Sequence, residues 1–127
     1  MPYPLAWTLP DCVNELVKRA NGAATLAGWW RNADIHNDFR VVPTALCLIH
    51  SEISEAMEAH RKGLMDDHLP KRTGLEVELA DAMIRIADLA GQLDIDLGSV
   101  VAEKMDYNAR RSDHKKEERQ KAGGKTY

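Results

Sequence analysis

The chain has 127 residues, of which 44% are hydrophobic and 29% charged, and its formal net charge is −3. These values predict an ordinary globular domain and argue against a general nucleic-acid binder, which needs a basic surface. No apolar run approaches the roughly 20 residues of a membrane span, and the N-terminus lacks the pattern of a signal peptide. Two cysteines, Cys12 and Cys47, are too few for a disulfide framework or a cysteine zinc site, so we expect a cytoplasmic protein.

Four helices are predicted in chain order, and no segment shows the sustained alternation of a strand. The first begins at Asp11, as N-cap, and ends before Gly28. The second begins at Pro43, which suits a first helical turn. The four helices cover about residues 11–27, 43–63, 75–93 and 97–111. An all-α domain is therefore expected over residues 1–112.

Residues 113–127 form a separate C-terminal tail that is rich in Lys and Arg between His114 and Lys125. Such a charge run is typical of a solvated, flexible tail. It is also suited to act as a cationic flap over a polyphosphate. The sequence leaves both interpretations open.

The second helix carries an acidic residue where an apolar one is expected. At 100° per residue, Glu52 lies inside the apolar arc, Glu55 lies at its edge and Glu58 lies on the solvated side. The arc itself is formed by Ala45, Leu46, Leu48, Ile49, Ile53, Ala56, Met57 and Ala59. Glu52 is thus predicted to point toward the protein interior.

The third helix is apolar around most of its circumference. Its polar residues Glu78, Asp81, Arg85 and Asp88 fall in one narrow stripe. A helix of this kind is expected in the middle of a bundle or at a subunit interface. Its polar stripe is therefore expected to face another protein element or a cavity.

The fourth helix places a basic trio on its apolar side. Lys104, Asn108 and Arg111 share one face, which apolar residues surround. Cationic and amide donors at such a position suit the binding of an anion.

Acidic pairs at spacing i,i+3 are no more frequent here than chance predicts for 20 acidic residues. Their position carries the information, because a buried carboxylate becomes neutral unless a cation keeps it ionised. Four converging acids, Glu52, Glu55, Glu78 and Asp81, would suit Mg²⁺ that also binds phosphate oxygens. The alternative is a buried ion network in which the same acids pair with Arg85 and Lys104.

The acidic residues stand in two ordered motifs, Glu52-Ile53-Ser54-Glu55 and Glu78-Leu79-Ala80-Asp81. Ile84-Arg85-Ile86 and Lys104-Met105-Asp106-Tyr107-Asn108-Ala109-Arg110-Arg111 follow them in the chain. With these motifs the sequence resembles the all-α NTP pyrophosphohydrolase superfamily, the MazG-like proteins, and especially their small single-domain phage and bacterial members. The likeness extends from about Gly28 to the C-terminal Gly-Gly-Lys.

The resemblance implies a bundle of four or five helices that assembles as a homodimer or a dimer of dimers. It implies hydrolysis of a (d)NTP to the monophosphate and pyrophosphate, with Mg²⁺, or Mn²⁺ in its place, as cofactor. Glu52, Glu55, Glu78 and Asp81 match the metal ligands, and one of Glu52 and Glu55 would polarise the attacking water.

The matched positions continue into the fourth helix. Lys104, Asn108 and Arg111 correspond to contacts with phosphate or sugar. Many relatives open the first motif with two consecutive acids, whereas Ser51 precedes Glu52 here, which leaves the identity of the general base open.

Trp30 follows a helix end and precedes a loop, and we expect it to stack on the base. The alternative is a core or interface tryptophan. Asn37 and Asp38 are in the same loop, where polar residues usually form turns. Two other functions remain open: a dUTP- or phosphoribosyl-ATP-type hydrolase of the same superfamily, and a non-catalytic helical interaction protein.

Overall fold

The computed structural model describes residues 6–111 together with residues 117, 120, 121 and 123. Within these residues there are four helices, α1 (Leu9–Leu26), α2 (Val41–Lys62), α3 (Gly74–Gln92) and α4 (Leu97–Arg110). The only β-type pairing in the described ranges is an isolated bridge between Met65 and Thr73. The predicted all-α class is confirmed, and most of the predicted basic tail lies outside the described residues.

The helix ends follow local capping chemistry, and the predicted bounds differ from them by at most two residues. The expectation that Asp11 is the N-cap of α1 was wrong. The Asp11 carboxylate accepts hydrogen bonds from the N–H and the hydroxyl of Thr8, whose Oγ1 accepts the Asp11 N–H. Thr8 therefore occupies the cap position, and Asp11 completes the capping box from the third helical position.

The two helices α2 and α3 are capped in ways that fix the turn between them. Gly63 ends α2 in the left-handed region at φ 62°, a conformation that glycine adopts without steric cost. Thr73 begins α3 through a capping box with Glu76. The turn therefore returns the chain so that α3 can pack against α2.

The chain divides into two compact units, of which the larger is Glu15–Ile95. Within it, α2 and α3 run antiparallel, since Gly74 lies beside Ala59 while Arg85, farther along α3, reaches back to Glu52. The side chains buried on these helices are mostly small: Ala56, Ala59, Ala82, Ala87, Leu89 and Ala90. Small residues allow the helix axes to approach closely.

Helix α1 packs on α3 through one polar side chain in the same unit. Nδ2 of Asn21 donates to the main-chain oxygen and the carboxylate of Asp88 and to the side chain of Gln92. A Cβ added at Gly91 would lie 2.5 Å from Cβ of Asn21. This close contact fixes the register of α1 along α3.

The second unit is Met1–Asn14 with Asp96–Tyr127. In it, Oδ1 of Asn14 accepts the Gly98 N–H at 2.8 Å, and its Nδ2 donates to Asp96, the N-cap of α4, at 2.8 Å. A Cβ added at Gly98 would clash with the carbonyl oxygen of Pro10. The start of α4 is thereby fixed against the start of α1.

Large apolar side chains of α3 stay accessible. Leu79, Met83, Ile84 and Ile86 are between 43% and 58% exposed, so within the larger unit α3 keeps an accessible apolar side. No helix in the described part of the chain combines the length and apolarity that crossing a membrane requires.

Candidate functional site

Three of the four acidic residues predicted as metal ligands lie together where α2 faces α3. One carboxylate oxygen from each of Glu52, Glu55 and Glu78 lies within 4.8 Å of the other two. Glu52 and Glu55 occupy successive turns of α2, and Glu78 approaches them from α3. We call these three residues the acidic cluster.

Glu52 is the buried member of the cluster, with only 7% of its surface exposed. Burial by itself would raise the pKa of Glu52, but the hydrogen bonds it accepts, first from Arg85, bring that pKa below its ordinary value. Nε of Arg85 donates to Oε1 of Glu52 at 2.5 Å. Glu52 is therefore held ionised by a guanidinium from the facing helix.

Glu78 has the opposite electrostatic environment. Burial, followed by its interactions with Glu52, Glu55 and Asp81, raises the pKa of Glu78 from 4.5 to about 7. Near neutral pH Glu78 is therefore partly protonated. Loss of that proton leaves the Glu78 carboxylate facing those of Glu52 and Glu55.

The donor set of the cluster fits a divalent cation. Oε2 of Glu78 is buried and has no hydrogen-bond partner among the described residues, which is costly for a polar atom. Carboxylate oxygens are the ligands that Mg²⁺ and Mn²⁺ prefer. A cation here would give the orphan oxygen a partner and remove the repulsion that raises the pKa of Glu78.

Asp81, the fourth predicted ligand, is not among the three residues whose oxygens lie within 4.8 Å. It is half-buried one turn beyond Glu78. Burial and the charge of Glu52 raise the pKa of Asp81, while Arg85 opposes that effect. Asp81 is therefore electrostatically linked to the cluster and positioned at its edge.

A cleft of about 930 Å³ adjoins the cluster. Its walls come from α1, from the turns after α1, from α2 and from α3, and all of its lining residues belong to the larger unit. Glu52, Asp81 and Arg85 line its acidic end. The volume is at the upper end of the range typical of small-molecule sites.

Trp30, the residue predicted to stack on a base, lines this cleft. Its indole Nε1 donates to Oδ1 of Asp88 at 2.9 Å, which fixes the ring. Trp29, which the sequence alone does not distinguish from Trp30, also lines the cleft but is 79% exposed. The hydrogen bond to Asp88 is the difference between the two tryptophans.

The loop pair Asn37 and Asp38 divides between two roles. Asn37 donates its main-chain and side-chain N–H groups to Asp34, which makes it a turn residue. Asp38 lines the cleft and accepts two hydrogen bonds from the Arg40 guanidinium at 2.9 Å, which lowers the pKa of Asp38 to about 2. Arg40 is thereby held at the cleft wall.

The sequence pattern predicts no site role for Arg40 or Asp88, and it suggests Arg85 only as an ion-pair partner. The signal for Arg85 and Asp88 was present, since both lie in the polar stripe of α3 with Glu78. Arg40 precedes the second helix in a loop, where periodicity gives no information about direction.

Ser51 does not substitute for the second acid that many MazG-like proteins have at the start of the first motif. Its hydroxyl donates to the Leu48 carbonyl oxygen of its own helix at 2.6 Å. Ser51 is therefore a helix-surface residue whose hydroxyl is satisfied locally.

The predicted trio Lys104, Asn108 and Arg111 belongs to the other unit. Nζ of Lys104 lies 4.7 Å from the ring centroid of Tyr107, a cation–π contact. Oδ1 of Asn108 is buried and accepts no hydrogen bond within the described ranges. Arg111 caps α4, and its main-chain N–H donates to the carbonyl oxygen of Tyr107.

Comparisons with protein-family models, with curated proteins and with solved structures found no significant match. The residues of the site and the motif resemblance are therefore the basis for assigning a function.

Proposed function

We propose that this protein is a Mg²⁺-dependent nucleoside triphosphate pyrophosphohydrolase that converts a (d)NTP to the monophosphate and pyrophosphate. One observation carries the proposal: Glu52 belongs both to the acidic cluster and to the wall of a nucleotide-sized cleft that contains Trp30. The same geometry suits a triphosphate at the acidic end and a base beside the tryptophan.

Glu52, Glu55 and Glu78 would hold the metal ion, with Asp81 at its edge, and Mn²⁺ would substitute for Mg²⁺. When bound, the ion supplies positive charge that neutralises the triphosphate and orients it. Without that charge the cluster would repel the substrate, because its three side chains are carboxylates and the neighbouring Arg85 guanidinium is already engaged by Glu52.

Glu55 is the best candidate for the general base. Glu52 is committed to Arg85, and its pKa is lowered, so it is a poor proton acceptor. Glu55 is the exposed member of the cluster. In the proposed step Glu55 accepts a proton from water as the water oxygen bonds to phosphorus, and the linkage between the α and β phosphates breaks to release pyrophosphate.

Cationic side chains would stabilise the charge that develops on the phosphoryl oxygens. Arg85 and Arg40 line the cleft. Lys104, Asn108 and Arg111 are proposed as further contacts with phosphate or sugar, on the strength of the motif resemblance.

The test is pyrophosphate release measured across the natural and oxidised dNTPs with Mg²⁺. Glu55→Gln, which keeps the shape of the side chain, should lower kcat about 100-fold or more. Glu58→Gln is the matched control, because Glu58 is on the same helix but pairs with Lys62. Full activity of Glu55→Gln would contradict the base assignment, and no release from any nucleotide would contradict the function.

The second candidate, a non-catalytic interaction protein, is favoured by the exposed apolar side chains of α3. Titration calorimetry with Mg²⁺ and a non-hydrolysable dNTP separates the two functions. The enzyme should bind both, whereas the interaction protein should bind neither.

A further inference from the structure

Asp88 is the polar residue of the cleft wall farthest along α3 from the acidic cluster. It follows Asp81 by two turns of the same helix, about 10 Å along the axis. Both residues line the cleft. If the phosphates of a nucleotide lie at Asp81, its sugar therefore spans the distance toward Asp88, and its base is the part that can contact Asp88.

One oxygen of the Asp88 carboxylate is fully committed to the protein. Oδ1 accepts hydrogen bonds from Nδ2 of Asn21 at 3.0 Å and from Nε1 of Trp30 at 2.9 Å. The indole nitrogen can only donate. The Asn21 amide nitrogen also faces the oxygens of Gln92 and of the Asp88 main chain, which defines its orientation.

The other oxygen, Oδ2, accepts no hydrogen bond from any described residue. The carboxylate is thus held in one orientation through Oδ1, and Oδ2 remains as an acceptor. A carboxylate oxygen held in place by its partner oxygen is suited to recognise one N–H donor on a ligand.

We propose that Asp88 selects the base of the nucleotide by accepting a hydrogen bond from its exocyclic amine, so that cytosine and adenine are preferred to uracil and thymine. This inference rests on the proposed function, since it assigns a role within the same substrate site. Cytosine and adenine carry an amino group where uracil and thymine carry a carbonyl oxygen. The single N–H on the corresponding edge of uracil lies between two carbonyl oxygens, which a carboxylate repels.

Trp30 and Asp88 have separate roles in this arrangement. Stacking on an aromatic ring is tolerant of the base, because every base has a π-face. Hydrogen bonding discriminates, because the wrong base leaves a desolvated acceptor without a partner. Trp30 therefore provides affinity, and Asp88 provides the choice between bases.

The test compares binding of the α,β-imido analogues of dCTP and dUTP by titration calorimetry in the presence of Mg²⁺. Wild-type protein should bind the cytosine analogue about tenfold to a hundredfold more tightly. Asp88→Asn should reverse the preference. In that variant Asn21 and Trp30 still donate hydrogen bonds to residue 88, so the amide oxygen of the new side chain must take the place of Oδ1. The amide nitrogen then takes the place of Oδ2 and can donate to the uracil carbonyl oxygen.

Asp94→Asn is the matched control, because it makes the same change in an exposed residue two positions beyond α3; it should keep the wild-type preference. Equal wild-type affinity for the two analogues would overturn the proposal, and so would a folded Asp88→Asn protein that keeps the cytosine preference. If Asp88→Asn does not fold, the wild-type comparison alone decides. Equal binding with intact hydrolysis refutes the base selection only, whereas absence of all nucleotide binding refutes the proposed function as well.

Discussion

Of the residues in the acidic cluster, Glu78 is the one whose protonation state should depend most directly on whether a cation is bound. It faces two other carboxylates, one of its oxygens has no partner among the described residues, and its pKa is about 7. A cation or a proton relieves the same repulsion. Protons and Mg²⁺ should therefore compete at this residue in the neutral pH range.

The stability of the metal-free protein should fall as pH rises through this range. The folded pKa of Glu78, about 7, exceeds the ordinary value of 4.5, so between these values the folded state binds more protons than the unfolded state. The extra proton that Glu78 binds in the folded state stabilises the protein fully below pH 4.5, and this stabilisation is lost as pH rises through 7. Denaturant unfolding in EDTA should show that Glu78→Gln is more stable than wild type at about pH 8, with a smaller gap at about pH 5.

Saturating Mg²⁺ should reverse the order of the two proteins at the higher pH, because wild type keeps a ligand that Glu78→Gln lacks. Glu103→Gln, on the exposed side of α4, controls for the change in net charge. If the difference in unfolding free energy between wild type and Glu78→Gln does not vary with pH, then folding does not raise the pKa of Glu78.

The Arg85–Glu52 pair should be worth more than a surface ion pair. Glu52 is buried whereas the Arg85 side chain is 43% exposed, so removing the guanidinium leaves a buried carboxylate with little solvent to replace it. Arg85→Ala should cost about 1–3 kcal/mol of unfolding free energy in metal-free buffer. Lys62→Ala breaks an exposed pair with Glu58 and should cost no more than about 0.5 kcal/mol. Equal losses of unfolding free energy in the two variants would show that burial of Glu52 does not strengthen its ion pair with Arg85.

At the scale of the helices, the acidic cluster depends on how closely α2 and α3 approach. Glu52 and Glu55 are on one helix and Glu78 is on the other, so a change in helix separation changes the oxygen–oxygen distances of the cluster. Gly74 lies at a close contact between the two helices, where an added Cβ would lie 2.6 Å from Cβ of Ala59. Neither atom belongs to a flexible side chain that can move aside.

Gly74→Ala should therefore separate the two helices and lower stability by about 1–3 kcal/mol, and it should weaken Mg²⁺ binding although no ligand is changed. Gly22→Ala is the matched control, since Gly22 is in the interior of α1 and an added Cβ there meets nothing within 4 Å. That substitution should stabilise the protein by about 0.5–1 kcal/mol. Thermal unfolding and Mg²⁺ titration of the two variants measure both effects. Unchanged Mg²⁺ affinity in Gly74→Ala would show that metal binding by the cluster does not depend on this helix contact.

Helical periodicity predicts which side of a helix each residue occupies. It therefore predicted the burial of Glu52 within an apolar arc and the polar stripe of α3. It did not predict contacts between distant segments. The hydrogen bond of Trp30 with Asp88 joins a loop to α3, and the Arg40–Asp38 pair depends on a loop conformation. The misplaced N-cap has a local cause, since Thr8 and Asp11 are both good capping residues and only their geometry distinguishes them.

At the scale of the whole molecule, the exposed apolar residues of α2 and α3 form an ordered set. Leu48 and Ile84 line the cleft. At 100° per residue, the others lie about 80–140° from Glu52 on α2 or from Glu78 on α3. They are Leu46, Ile53, Met57, Leu79, Met83 and Ile86. Because the helices are antiparallel and their acids face each other, these two arcs lie on the same side of the helix pair.

An apolar face of this kind on a single chain is expected to be covered by association, and the sequence resemblance implies a homodimer or a dimer of dimers. We therefore expect the wild-type chain to self-associate through this face. Met83→Glu places a charge in its centre and should weaken association at least tenfold, because a buried unpaired carboxylate costs more than the roughly 1.4 kcal/mol that a tenfold change requires. Lys71→Glu, an exposed loop change that likewise introduces a carboxylate, should leave association intact. Light scattering coupled to size exclusion measures both variants, and a wild-type chain that is monomeric at every concentration would exclude this face as a self-association surface.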